Sequence, residues 1–205
     1  MDYESIFRKG EWVSFMEESF LLFLQEYVRF DWLTPIMKGL SFLGDYGGAC
    51  WIVLTLLMMI WKKTRWVGFT MGVSLALSGI FTNLVIKNLF FRDRPYEVNP
   101  DIEPLGNIPS DTSFPSGHAS VVFALATVLC LTLPWIMEKK KAIIVSALFV
   151  VLAVLLAFSR LYLGVHFPTD VLVGALLGIV YGIVARAIIG PVKKKFDNGT
   201  RSADV

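Results

Sequence analysis

Apolar residues in this chain fall in long runs, and the charges cluster between them. A bilayer crossing needs about 20 mostly apolar residues. Four stretches supply them, at roughly 66–90, 117–137, 142–163 and 168–190. A fifth, at roughly 45–62, is shorter, and its core from Ala49 to Trp61 needs Gly47, Gly48 and their neighbours to reach across. Val13 to Val28 is apolar but interrupted by Glu17, Glu18 and Glu26. That pattern predicts an amphipathic helix lying in the membrane interface. Phe30 to Leu43, with Pro35 and Lys38, reads as a second interfacial piece or as the lead-in to the first span. The expected fold is all-α: a single-domain membrane bundle of about five spans. It divides into an interfacial N-terminal segment (1–44), a catalytic bundle (45–190) and a cytoplasmic tail (191–205).

The loops set the orientation. Lys62, Lys63 and Arg65 lie between the first and second spans, Lys139, Lys140 and Lys141 between the third and fourth, and Lys193, Lys194 and Lys195 after the last. Alternation puts all three clusters on one side, and short basic loops stay in the cytoplasm. The opposite, extracytoplasmic side then receives the 91–116 loop and the 160–168 turn. Trp61, Trp66 and Trp135 flank the basic clusters, while Trp12, Trp32 and Trp51 are expected in an outer aromatic belt.

Composition agrees. Of 205 residues, 55% are hydrophobic and only 18% charged, less charge than a soluble domain of this length usually carries. The net charge of +2 says little. Cys50 and Cys130 lie inside apolar runs and read as small hydrophobes rather than a disulfide framework. Asp2, Glu4, Arg8, Lys9 and Glu11, with no compact apolar core between them, argue against a cleavable signal peptide.

The polar residues at the outer span ends carry the chemistry. The chain has two histidines, His118 and His166. Lys87 and Arg94 stand at the outer end of the second span, Ser116, Gly117 and His118 open the third, Arg160 closes the fourth, and His166 and Asp170 begin the fifth. Cations near a bilayer are costly, and several converging on one face outweigh snorkelling as an explanation. Three cationic side chains imply an anion with several oxygens, and the planar fork of Arg suits phosphate. Pro115-Ser116-Gly117-His118 precedes an apolar helix whose first N–H groups point at an anion. His166 and Asp170, four apart, share a helix face. The carboxylate can fix one imidazole nitrogen and leave the other free to attack. His118 lacks an equally obvious carboxylate and reads as the general acid. Asp93, Glu97, Asp101, Glu103 and Asp111 in the outer loop match no metal spacing and read as solvated charges. No metal, no cofactor and no nucleic-acid partner is expected. Gly174, Gly178 and Gly182 form a small-residue stripe, read first as internal packing and second as a homodimer face.

These residues resemble the three signatures of the type 2 phosphatidic acid phosphatase superfamily. Lys87 to Arg94-Pro95 resembles the first, Pro115-Ser116-Gly117-His118 the second, and Ser159-Arg160 with His166 and Asp170 the third. The resemblance covers roughly 37–190. It implies a metal-independent hydrolase in a helical membrane bundle. Lys87, Arg94, Ser116, Gly117 and Arg160 are then phosphate ligands, His118 the acid, His166 the nucleophile that becomes phosphohistidine, and Asp170 its partner. The small size resembles bacterial members acting on undecaprenyl diphosphate, phosphatidylglycerol phosphate or phosphatidate. The expected partners are therefore a lipid phosphate substrate and the bilayer. The alternative reading is a sugar-phosphate phosphatase or phosphotransferase with the same site. A transporter would not need paired histidines, and vanadate-dependent haloperoxidases, which share such a site, are soluble.

Overall fold

The computed structural model describes the backbone of residues 11–203 and the side chains of 13–45 and 48–199. The charges at 2–9 and the side chains of Glu11 and Trp12, on which two of the expectations rest, lie outside the described residues. Helices α1 (Glu11–Tyr27) and α2 (Thr34–Phe42) lead into α3 (Asp45–Ile60). Helix α4 (Arg65–Leu77) continues as a π-helical segment (Ser78–Ile86), and the one-turn α5 (Pro95–Val98) interrupts the long loop that follows. Helices α6 (Gly117–Thr132), α7 (Lys139–Tyr162) and α8 (Pro168–Ala203) complete the bundle. Every regular element among the described residues is helical. Arg65–Ile86, Gly117–Trp135, Lys139–Tyr162 and Pro168–Gly199 are long and apolar enough to cross a membrane, and α3 supplies a shorter apolar stretch, Gly48–Ile60.

Helix α6 is the axis of the bundle. In its most apolar stretch 56% of residues are buried, against 33% or less in the other three spans. Its inward residues Val122, Leu125, Val128 and Leu129 join Val67 and Met71 of α4 and Leu156 of α7 in the main core. Trp51 is buried in that core too, so it does not belong to an outer aromatic belt. Ile143, Leu148, Val151, Leu172, Leu176 and Ile183 point outward and exposed, an apolar surface that suits lipid and not water.

The glycine stripe is the α6–α8 seam. A Cβ on Gly174 would collide with the Ser116 carbonyl and Ala119, one on Gly178 with the Ser120 carbonyl and Ala124, and one on Gly182 with Thr127 and Ala124. Small residues there let the two backbones approach closely. Because α6 covers the stripe, the reading of it as internal packing holds, and the stripe is not available as a homodimer face.

The π-helical segment was not foreseen. The Lys87 N–H donates to the Thr82 carbonyl at 3.1 Å, five residues back. The wider turn coincides with a buried hydroxyl network across three helices. Ser120 of α6 lies 2.7 Å from Ser78 Oγ and 3.0 Å from Thr82 Oγ1. Thr82 Oγ1 also reaches the Tyr181 hydroxyl of α8 at 3.3 Å. π-bulges recur at functional sites, where they re-aim side chains. Here the segment ends directly before Lys87.

Helix α1 lies across one end of the bundle. Glu17, Leu21 and Leu24 are buried, while Phe15, Met16, Phe20, Phe23 and Tyr27 are exposed. This is the two-faced pattern of an interfacial helix. Leu21 and Leu24 pack on Ile102 of the long loop and on Phe167. Gln25 Nε2 donates to the Asp101 carbonyl at 3.0 Å, and Arg29 Nε to the Tyr162 carbonyl at 3.0 Å. The helix is thereby fastened over the end that holds the 91–116 loop and the turn between α7 and α8.

Candidate active site

That same end collects the polar residues of five elements. A cavity of about 280 Å³ is lined by Lys87, Arg94, Asp111, Gly117, His118, Arg160 and His166, with Gly44, Asp45 and Asn83 among its other walls. All three cations and both histidines expected from the sequence reach it. Ser116 is fully buried as the N-cap of α6, its Oγ accepting from the Ala119 N–H at 3.4 Å. The Ser116 N–H donates to the Asp170 carbonyl at 3.0 Å, which ties the starts of α6 and α8 together. Gly117 is required for close approach, since a Cβ there would strike the Asn83 side chain.

The two arginines are almost completely buried, Arg94 at 1% and Arg160 at 2% exposure. Arg94 uses its whole fork. Nε donates to the Asp111 carbonyl at 2.8 Å, Nη1 to the Val165 carbonyl at 2.6 Å and Nη2 to Asp111 Oδ1 at 2.6 Å. Lys87 Nζ pairs with Asp111 Oδ2 and donates to the Thr112 carbonyl at 3.1 Å. Arg160 Nη1 donates to Ser41 Oγ and lies 3.7 Å from Asp45 Oδ1, while its buried Nε has no partner. Arg160 is thus a buried guanidinium on the cavity wall with one donor that the protein does not use.

His166 sits in the tight turn between α7 and α8. Gly164, at φ +69°, takes the left-handed conformation that ends α7 and reverses the chain. Pro168 then opens α8, and Asp170 falls in its first turn. Asp170 is fully buried. Its Oδ2 accepts from the Phe167 N–H at 2.8 Å and Ser113 Oγ at 2.5 Å, and its Oδ1 from Arg92 Nη1 at 2.6 Å. His166 Nδ1 stands 3.6 Å from Oδ2, longer than a hydrogen bond, and has no other partner. A few tenths of an ångström would close the pair, and catalytic hydrogen bonds often tighten only around substrate. Burial pushes the imidazole down to about 3, so His166 is neutral at ordinary pH.

Several residues here were not read from the sequence. His118 does have a carboxylate: Asp45 Oδ1 lies 3.0 Å from Nε2. Asp45 comes from the start of α3, and a Cβ on the preceding Gly44 would meet the His118 ring. An acid opening the weakest span was the available signal. The solvated reading of the outer-loop acids is corrected at two positions. Asp111 bridges Lys87 and Arg94. Burial works to raise its carboxyl, but the Lys87 ammonium and the Arg94 guanidinium prevail and hold it at about 2. Glu97 Oε2 accepts from the Arg94 N–H at 2.7 Å and fixes the start of α5. Among the described residues, no group of three or more His, Cys, Asp or Glu is placed to hold a metal ion.

Comparison with known proteins agrees with this arrangement. The PAP2 superfamily profile matches residues 67–193. The chain is 35% identical over 180 residues to an undecaprenyl-diphosphatase of Sulfolobus acidocaldarius, covering 83% of this chain and 80% of that protein. It is 34% identical over 177 residues to phosphatidylglycerophosphatase B of Bacillus subtilis, covering 82% and 80%. The crystal structure of a transmembrane PAP2 type phosphatidylglycerolphosphate phosphatase from Bacillus subtilis superposes with a TM-score of 0.73 at 28% identity, over 92% of this chain and 90% of that one. With its helical bundle, its spans and its signature residues gathered at one end, this chain belongs to the PAP2 superfamily, as a multi-pass membrane enzyme of the phosphatase class.

Proposed function

We propose that the enzyme hydrolyses the terminal phosphate of a membrane lipid phosphate or diphosphate through a phosphohistidine on His166, without a metal, at the extracytoplasmic face. The observation that carries the reading is the convergence of Lys87, Arg94 and Arg160 with both histidines on one cavity. In the first step a His166 ring nitrogen attacks phosphorus and the bond to the leaving oxygen breaks. His118, paired with Asp45, gives that oxygen a proton. Lys87, Arg94, Arg160 and the N–H groups at the start of α6 hold the equatorial oxygens as charge redistributes over them, while Ser116, which does not line the cavity, caps that helix from behind. In the second step His118 takes a proton from water, whose oxygen attacks phosphorus, the P–N bond breaks, and inorganic phosphate leaves. Asp170 orients His166 throughout. The donor set is cationic and so does itself what a bound cation would do for the phosphoryl oxygens.

Gly44, Gly48, Asn83, Gly117 and Val121, all on or beside membrane-spanning elements, form part of the cavity wall. A cavity walled partly by membrane-spanning helices favours a lipid over a sugar phosphate, and undecaprenyl diphosphate, the substrate named for one relative, ranks first among candidates. The test is phosphate release by purified enzyme from undecaprenyl diphosphate, phosphatidate, phosphatidylglycerol phosphate and glucose 6-phosphate, with chelator present. Turnover of at least one lipid, unaffected by chelator and inhibited by vanadate, is expected. Loss of activity with chelator and recovery with magnesium would overturn the mechanism, and preference for the sugar phosphate would overturn the substrate class.

The face of the membrane rests on charge. The lysine and arginine clusters at 62–65, 139–141 and 193–195 sit at the helix ends opposite the cavity, and basic segments hold to the cytoplasmic surface. Cys50 and Cys130 are both exposed, so labelling requires a background lacking them. In that background Asn107→Cys is expected to react with a membrane-impermeant thiol reagent in intact cells, and Lys140→Cys only after lysis. The reverse pattern would place hydrolysis in the cytoplasm.

A further inference from the structure

Outside the signature residues, one chain of charged side chains reaches the site from helix α1. Arg92 lies in the first signature segment but is not one of its matched positions. Its Nη1 donates to Asp170 Oδ1 at 2.6 Å and to Thr169 Oγ1 at 2.7 Å. Its Nη2 donates to Glu17 Oε2 at 2.5 Å. The guanidinium carbon stacks 4.1 Å over the Phe167 ring. Glu17 has no oxygen to spare. Its Oε1 accepts from the Thr169 N–H at 2.8 Å and the Thr169 hydroxyl at 2.6 Å. Glu17 is 5% exposed on an interfacial helix. Burying a carboxylate there is costly unless it is paired and hydrogen-bonded, and this one is both.

We propose that Arg92 and Glu17 are positioning residues for Asp170, and that helix α1 is thereby part of the catalytic apparatus. The inference rests on the reading of Asp170 as partner of the nucleophile His166. Asp170 has two oxygens with distinct duties. Oδ2 faces His166 Nδ1, and Oδ1 is taken by Arg92. The Arg92 guanidinium on Oδ1 completes, with the Phe167 N–H and Ser113 Oγ on Oδ2, the set of donors that stops the carboxylate rotating and keeps Oδ2 turned toward the imidazole. Glu17 in turn balances the Arg92 charge and caps the first turn of α8, the turn that carries Asp170. The order of action is Glu17, then Arg92, then Asp170, then His166.

Full-length enzyme in detergent tests this in two ways. In the phosphate-release assay, with undecaprenyl diphosphate and phosphatidate, Arg92→Gln is expected to lower kcat about ten- to hundredfold with little change in KM, from loss of a charge-assisted hydrogen bond. Arg92→Lys is expected to recover part of that loss, and Glu17→Gln to show a smaller fall in the same direction. In an Asp170→Asn background, Arg92→Gln is expected to cost less than about threefold more, since it acts through the group already removed. Full multiplication of the two losses, or an unchanged kcat in Arg92→Gln, would overturn the proposal.

The second readout does not need turnover. With only two histidines in the chain, ¹⁵N-imidazole spectra of a His118→Gln protein report His166 alone. One tautomer, protonated on Nδ1, is expected with Arg92 present, and a mixture in Arg92→Gln. The same tautomer in both proteins would overturn the proposal even if an inactive wild type had already overturned the functional reading. If Arg92→Gln does not fold, Arg92→Lys and Glu17→Gln carry both measurements.

Discussion

His166→Ala is expected to abolish turnover, by on the order of a thousandfold or more, while leaving anion binding nearly intact. Ala removes the only protein atom proposed to form a bond to phosphorus. The cations proposed to hold the phosphoryl group keep their supports. Arg94 is braced by the Asp111 and Val165 carbonyls, Lys87 by the Thr112 carbonyl, and Arg160 by Ser41. Vanadate binding measured beside phosphate release separates the two effects. Binding retained with turnover lost is the expected pattern. Phosphate release at near wild-type rate would end the assignment of His166 as nucleophile.

Arg94→Lys and Arg160→Lys keep the charge and lose the fork. Arg94 makes its contacts through all three nitrogens, and one ammonium cannot reach the Val165 carbonyl and Asp111 together. Arg160 is the cleaner test, because its Nε makes no hydrogen bond within the protein, whereas all three nitrogens of Arg94 are engaged. A lost hydrogen bond to an anion is worth about 1.5–3 kcal/mol, or roughly ten- to hundredfold in kcat/KM. Lys at either position is expected to fall in that range, with a thermal midpoint in detergent recording any loss of fold. Unchanged kinetics in both variants would mean that the arginines serve the membrane interface and not the phosphate.

What could be read from the sequence follows from how local each signal is. The four long spans announce themselves because twenty apolar residues have few other uses. Lys87, Arg94, His118, Arg160 and His166 could be brought together on paper because alternation alone puts their span ends on one side. Asp45, Asp111, Arg92 and Glu17 could not. Each acts through partners at least 17 residues away in sequence, and nothing local distinguishes a paired acid from a solvated one. Glu17 shows this best. In sequence it counts against a span, whereas in the fold it is the buried ligand of Arg92 and Thr169. The π-helical segment was hidden for a related reason. Its residues, Ser78 to Ile86, are as apolar as an α-helical span, and the wider turn shows only in the hydrogen-bond pattern.

On the proposed function, Asp111 makes substrate binding an exchange. Its carboxylate already spans Lys87 and Arg94, two of the three cations proposed to take a phosphate. An incoming phosphate therefore does not fill a vacant positive hole. It trades places with an anion the protein carries, and its net affinity is the difference between two sets of ion pairs. A bare cradle would bind any small anion in proportion to its charge and would weaken steeply with salt. A cradle with a tethered occupant discounts every competitor by the same amount. A monovalent ion such as chloride offers too little in return for the carboxylate. A phosphoryl group, with several charged oxygens and a lipid tail to anchor it, offers more. The side chain that looks like an obstruction thus sets the threshold an anion must exceed to enter.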